Sequence, residues 1–175
     1  MAEITIRKAT IADAALIADM SRESFAATFA AGNKPEDIEI FLDQQFTKAA
    51  LMAEVGTPGN TFLIAFSGDE PAGYVRLRKA VCKTWPAENP LEIARLYAMP
   101  EMVGKGVGKF MMTYCIDFAS ANGHDLLWLG VWEHNARAIH FYQSFGFEKV
   151  ATQDFLLGND LQTDWVMKRE IQPNA

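Results

Sequence analysis

Three glycines, Gly104, Gly106 and Gly108, alternate with Lys105 and Val107, and Lys109 follows them. Glycines let a backbone approach a ligand closely and take φ/ψ values that side chains forbid. The preceding segment, Leu91 to Met99, alternates like a strand. The following one repeats Val107, Phe110, Met111, Tyr114, Cys115 and Phe118 at spacings of three and four, the stripe of an amphipathic helix. Strand, glycine loop and helix form a device for binding phosphate, because the first free N–H groups of the helix point at the anion.

Two common phosphate binders fail on spacing. A P-loop needs four residues between its first glycine and the Gly-Lys pair, then Ser or Thr for magnesium. Here Gly104 and Gly108 enclose three residues, and Phe110 follows Lys109. A dinucleotide fingerprint needs G-x-G-x-x-G early in a repeated βαβ array; this chain has G-x-G-x-G late in a short sequence.

The loop resembles the pyrophosphate loop of the GNAT acetyltransferases, Q/R-x-x-G-x-G/A, with Gly106 and Gly108 as its small residues. Val103 stands where that family usually has Gln or Arg, which removes one polar side chain. A second block, Trp128 to Phe147, is similar to the later motif N-x-x-A-x-x-F-Y-x-x-x-G-F, with Asn135, Ala138, Phe141, Tyr142, Gly146 and Phe147 in place. The segments FAATFAAGNKPEDIEIFLDQQFT and LEIARLY, and the tail Gly158, Gln162, Thr163, Asp164, resemble bacterial spermidine/spermine acetyltransferases of the PaiA type.

The resemblance implies acetyl-CoA as donor, with free coenzyme A as product. Backbone groups of Leu96, Tyr97 and Ala98 would pair with the pantetheine arm. Gly104, Lys105, Gly106, Val107, Gly108 and Lys109 would hold the pyrophosphate, and Asn135 and Phe141 would meet the arm from the other side. Lys105 and Lys109 are also ordinary surface residues for a helix start.

Acetyl transfer to an amine has two proton problems. An alkyl amine of pKa about 10.4 carries a handicap of roughly 4.6 kcal/mol at pH 7, so a base or a path to water must deprotonate it. The departing thiolate benefits from a proton donor, and the oxyanion wants N–H donors. Tyr142, at the family's catalytic tyrosine position, is the expected acid; its alternative is aromatic packing with Phe141 and Phe145. Glu92 lies fourteen residues before Gly106, the offset of the base in the histone-acetylating branch. Strand alternation puts Glu92, Ala94 and Leu96 on one face and Ile93, Arg95 and Tyr97 on the other. Ordered water and a strand-end ion pair are the competing assignments. Phe25, Thr28 and Phe29 are expected to line an amine pocket, with Glu23, Glu36, Asp37 and Asp43 either drawing in a polycation or forming a solvated helix face.

The remaining segments must position these groups. Ile4 to Arg7 reads as a strand, and Thr10 caps a helix reaching toward Phe29. Pro35 opens a second helix, and a third starts near Thr47. Strands over Thr61–Ser67 and Ala72–Lys79 flank a Gly68-Asp69 turn. Leu126 to Trp132 is nearly continuous in apolar residues, as in the middle of a sheet. Asn135 caps a helix, and strands over Phe147–Leu157 and Leu161–Lys168 close the chain. The order implies an α/β (α+β) GNAT fold in a single domain over residues 1–175. Its central sheet would be mixed, mostly antiparallel and twisted, with a V-shaped splay between the motif strands and helices on both faces.

A net charge of −6 argues against nucleic acid. Neither a membrane span nor a signal-peptide pattern is visible, so a cytoplasmic location is expected. His124, His134 and His140 have no partners at metal-ligand spacing. Three readings follow: acetylation of a small amine, polyamines first; acetylation of a peptide or protein amine; or a non-catalytic acyl-CoA-binding module. A homodimer is a family-level expectation.

Overall fold

The computed structural model describes residues 2–172 and Asn174. Its strands are β1 (Ile4–Lys8), β2 (Asn60–Ser67), β3 (Glu70–Arg78), β4 (Pro90–Ala98), β5 (Leu126–Trp132), β6 (Glu148–Leu157) and β7 (Asp160–Glu170). Its helices are α1 (Ala14–Phe29), α2 (Pro35–Gln44), α3 (Lys48–Glu54), α4 (Val107–Ala121) and α5 (Ala136–Ser144). The seven strands form one sheet in the order β1-β2-β3-β4-β5-β7-β6, antiparallel throughout except for the parallel pair β4–β5. The fold class is therefore as expected.

Local chemistry explains the helix starts. The Asp13 carboxylate accepts from the Thr10 N–H at 2.8 Å and pairs with Arg7 at 2.8 Å, so a short 3-10 turn precedes α1. Pro35 sits at the start of α2, where its missing N–H costs nothing, with Glu36 and Asp37 in the first turn. The Thr47 hydroxyl accepts from Ala50 N–H at 3.2 Å, and the Asn135 side chain accepts from Ala138 N–H at 3.2 Å.

Helices cover both faces of the sheet. On one face α4 buries Val107, Met111, Met112 and Cys115 against Val75, Leu77, Ile93 and Leu129, and α5 adds Ile139. On the other, α1 sets Ile17 and Met20 against Phe62, Ile64 and Tyr74. A third cluster joins Phe25, Phe29, Phe41, Phe46 and Leu51 of the three early helices and the chain that links them to Leu157. Among the described residues no helix is long and apolar enough to cross a membrane.

The face assignment along β4 needs correction. Arg76 pairs with Arg95 and Leu77 with Ile93, so Ala94 is an extra residue with no partner in β3. The bulge shifts the alternation by one. Ile93 and Leu96 consequently share the α4 face, while Tyr97 packs on the α1 side with Tyr74. It also puts Arg76 directly opposite Arg95, a repulsive cross-strand pair. Glu54 of α3 bridges the two, accepting from Arg95 at 2.7 and 2.9 Å and from Arg76 at 3.2 Å.

Candidate active site

β4 and β5 pair only from Pro90–Leu126 to Glu92–Trp128. Beyond that point they diverge, and a cleft of about 910 Å³ opens between Ile93–Ala98 on one wall and Gly130–Trp132 on the other. This is within the usual size of small-molecule sites. β4 stays paired to β3 as far as Ala98, so the backbone groups of its cleft-side edge have no strand partner there. Such an edge fits an extended chain bearing amides. Leu96, Tyr97 and Ala98 all line it.

One end of the cleft is built for an anion. Gly106 caps α4 with φ 87°, a left-handed conformation, while a Cβ there would meet nothing within 4 Å. Backbone conformation, not space, is the reason for glycine at this position. The first helical bond runs from Phe110 N–H to Gly106 O at 3.0 Å. The N–H groups of Val107, Gly108 and Lys109 thus have no acceptor one turn back, and they carry the positive end of the helix dipole. Gly104, Gly106, Gly108 and Lys109 line the cleft. Lys105 does not: it is exposed, and its N–H is taken by Met102 O at 3.2 Å. The Val107 side chain is buried in the core beneath the loop, leaving only its backbone to face a ligand.

Arg137 was not anticipated. It projects from the first turn of α5 and lines the same end, with Nη2 3.9 Å from where a Gly104 Cβ would lie. A cation from another element thus stands beside the loop, where Val103 itself offers no polar side chain. No local pattern marks it, because α5 reaches the loop only through the fold.

Asn135, Phe141 and Tyr142 reach the cleft from α5. The Asn135 oxygen is engaged in capping, which fixes its amide plane. Burial pushes the Tyr142 hydroxyl up to about 12. It is therefore protonated at neutral pH and able to donate, as an acid must.

The opposite end is aromatic. Phe25 stacks on Phe29 and Phe41 at centroid distances of 4.4 and 4.5 Å, and Phe29 packs on Trp132 at 5.7 Å. Phe25, Thr28 and Phe29 all line this end. The acidic residue in the lining is Asp164 of β7, whose carboxyl is raised to about 6 by burial and by the charge of Glu133. In the sequence Asp164 stands out only as part of the tail pattern. Its position depends on pairing with Trp132 and Gln153 on two other strands, which the sequence alone does not display.

Glu92 is not brought to the cleft. It stands directly opposite Arg78 on β3, and its Oε2 accepts from Arg78 Nε at 2.7 Å while 8% of the residue is exposed. Leu91 and Ile93 take the α4 face, and the cleft wall begins at Ile93. The geometry gives this carboxylate an ion-pair partner, not an acceptor. Glu23, Glu36 and Asp43 are exposed helix positions, and Asp37 accepts from Asn159 N–H at 3.0 Å.

A family model described as Acetyltransferase (GNAT) family matches residues 18–147. An uncharacterized N-acetyltransferase of Lactobacillus delbrueckii subsp. lactis is 36% identical over 153 residues, spanning 87% of this chain and 88% of its own length. A spermidine N(1)-acetyltransferase of Thermoplasma acidophilum is 28% identical over 160 residues, spanning 88% of this chain and 95% of its own. Among solved structures, a PaiA N-acetyltransferase from Thermoplasma acidophilum in complex with coenzyme A aligns with a TM-score of 0.75 at 25% identity, over 96% of this chain and 99% of that one.

Proposed function

The chain belongs to the GNAT acetyltransferase family, and from that premise we propose that it acetylates a primary amine of a small polycation, with spermidine and spermine as first candidates. It is an N-acetyltransferase that uses acetyl-CoA. The observation that carries the acceptor reading is the polarity of the cleft. Lys109 and Arg137 stand at the glycine-loop end, and Asp164 lines the cleft in register with Trp132. Arg95 lines the cleft as well, with both arms of its guanidinium engaged by Glu54. An anionic donor and a cationic acceptor are thus each drawn to the matching end. The relative named as a spermidine N(1)-acetyltransferase supports the same class.

Bound acetyl-CoA supplies the thioester. The glycine loop and the α4 N-terminus hold its phosphates, the free edge of β4 orients its arm, and the aromatic end excludes water from the amine. The amine attacks directly with both substrates present, and Tyr142 gives its proton to the departing sulfur.

Thiol release from acetyl-CoA, measured against spermidine, spermine, monoamines and a lysine peptide, tests the reading. Saturable turnover is expected with the polyamines, and Tyr142→Phe should lower kcat about 100-fold with acetyl-CoA binding unchanged. Turnover with the peptide alone, or with no amine while acetyl-CoA binds, would overturn it.

A further inference from the structure

We propose that Asp164 receives the reacting ammonium group of the acceptor and takes its proton, a role that rests on the small-amine reading above. Asp164 lies on β7 in register with Trp132 on one side and Gln153 on the other. Its carboxylate reaches toward the cleft across Gly130 of β5. A Cβ at Gly130 would lie 2.6 Å from Gln153 Nε2 and 3.4 Å from Asp164 Oδ2. A side chain at Gly130 would displace the Gln153 amide and stand in contact with the Asp164 carboxylate.

The other carboxylates near the sheet centre are committed. Glu92 is held by Arg78, and Glu54 by Arg76 and Arg95. Among the described residues, no ion pair or side-chain hydrogen bond engages Asp164. A half-buried carboxylate with no cation paired to it is costly to keep, and a bound ammonium offsets that cost.

The charged and titratable groups around it come from β4, from α5 and from the residue that follows β5. Tyr97 and Arg95 face the cleft from β4, and Tyr142 and Arg137 from α5. Glu133 follows β5 and raises the Asp164 carboxyl, while β6 presents the uncharged Gln153. Arg95 is paired with Glu54, and Arg137 stands by the glycine loop. Burial and Glu133 raise the Asp164 carboxyl and make it a stronger proton acceptor than an ordinary aspartate.

The step balances as follows. Asp164 takes one proton from the ammonium, and the freed lone pair forms the C–N bond as the C–S bond breaks. The sulfur takes the Tyr142 phenolic proton, and the second proton of the attacking nitrogen restores the phenol. Asp164 then loses its proton to solvent, the one proton released per turnover.

The test is the pH profile of kcat/KM for spermidine from pH 5 to 9 in the wild-type protein, Asp164→Asn and Glu133→Gln, with acetyl-CoA binding measured on each. The reacting state of the wild type is carboxylate plus ammonium, so its profile should rise with unit slope to about pH 6 and then stay level. Asp164→Asn should bind acetyl-CoA normally and lose about 100-fold or more at pH 7. Its residual rate should climb tenfold per pH unit up to pH 9, following the neutral amine. Glu133→Gln should move the wild-type limb to lower pH, because a negative neighbour is gone. An Asp164→Asn protein within threefold of wild type and with the same profile would overturn the proposal while leaving the functional reading intact. So would an Asp164→Asn protein that no longer binds acetyl-CoA, since the residue would then be structural. A wild-type protein that binds acetyl-CoA and acetylates no amine would overturn both.

Discussion

Glu92→Gln separates two accounts of the same residue. The carboxylate is bonded to Arg78 at 2.6–2.7 Å, and the side chains are 10% and 43% exposed respectively. A charge-assisted hydrogen bond of this kind contributes about 1.5–3 kcal/mol. Glutamine keeps an oxygen for Arg78 to donate to, and the half-exposed guanidinium regains water, so most of that loss is recovered. The net cost should be about 1 kcal/mol, a fall in Tm of about 2–4 °C for a chain of this size. Because the carboxylate does not face the cleft, kcat/KM for spermidine should stay within about threefold of wild type. Thermal unfolding and a thiol-release assay on one preparation measure both. A Glu92→Gln protein that melts normally yet loses 100-fold in kcat/KM would refute the reasoning. It would return the proton-accepting role to β4.

Three further outcomes are expected. Arg137→Ala should raise the Kd for acetyl-CoA about five- to tenfold by titration calorimetry, and the effect should shrink in 0.5 M salt. Gly158→Ala should cost about 2–4 kcal/mol in urea unfolding. Gly158 has φ 60°, and a Cβ would lie 2.5 Å from Asp37 O, so the β6–β7 hairpin must back away and strain the Asn159–Asp37 and Gln162–Asn33 hydrogen bonds. Asp13→Asn should flatten the loss of stability in acid. Arg7 and the Thr10 N–H hold the Asp13 carboxyl well below the usual range, so its contribution is complete above the unfolded value of about 3.9 and fades as pH falls below it. Equilibrium unfolding between pH 2 and 5 would show this.

What could be read from the sequence was local. The Gly104–Gly108 loop, the Asn135 cap, the Pro35 start and the apolar run of β5 each carry their conformation in consecutive residues, and the structure places them as expected. What failed depended on strand neighbours. Alternation was counted along β4 as if it were unbroken, and the bulge at Ala94 exchanged the faces beyond it. Nothing in LEIARLY marks that bulge, because it is defined by Arg76 and Leu77 on β3. The Arg78 partner of Glu92 and the cleft position of Asp164 are likewise products of register between distant segments. Arg137 belongs to the same class, a side chain whose role exists only once α5 sits beside α4.

The parting of β4 and β5 has a mechanical side. Only three residue pairs, ending at Glu92–Trp128, lace the two halves of the sheet together. They act as a pivot, with six further residues of β4 as the lever arm. At about 3.3 Å per residue the arm is roughly 20 Å long, so a rotation of about 5° at the pivot shifts the Ala98 end by roughly 1.7 Å. A misplacement of about 1 Å can cost 100-fold in rate. The braces that resist such a rotation are remote from the chemistry. One is the tie of the β6–β7 hairpin to the first turn of α2 and the connection before it, through Asn159–Asp37 and Gln162–Asn33. Hydrogen bonds that never meet either substrate thereby help to hold the two walls of the cleft at their spacing.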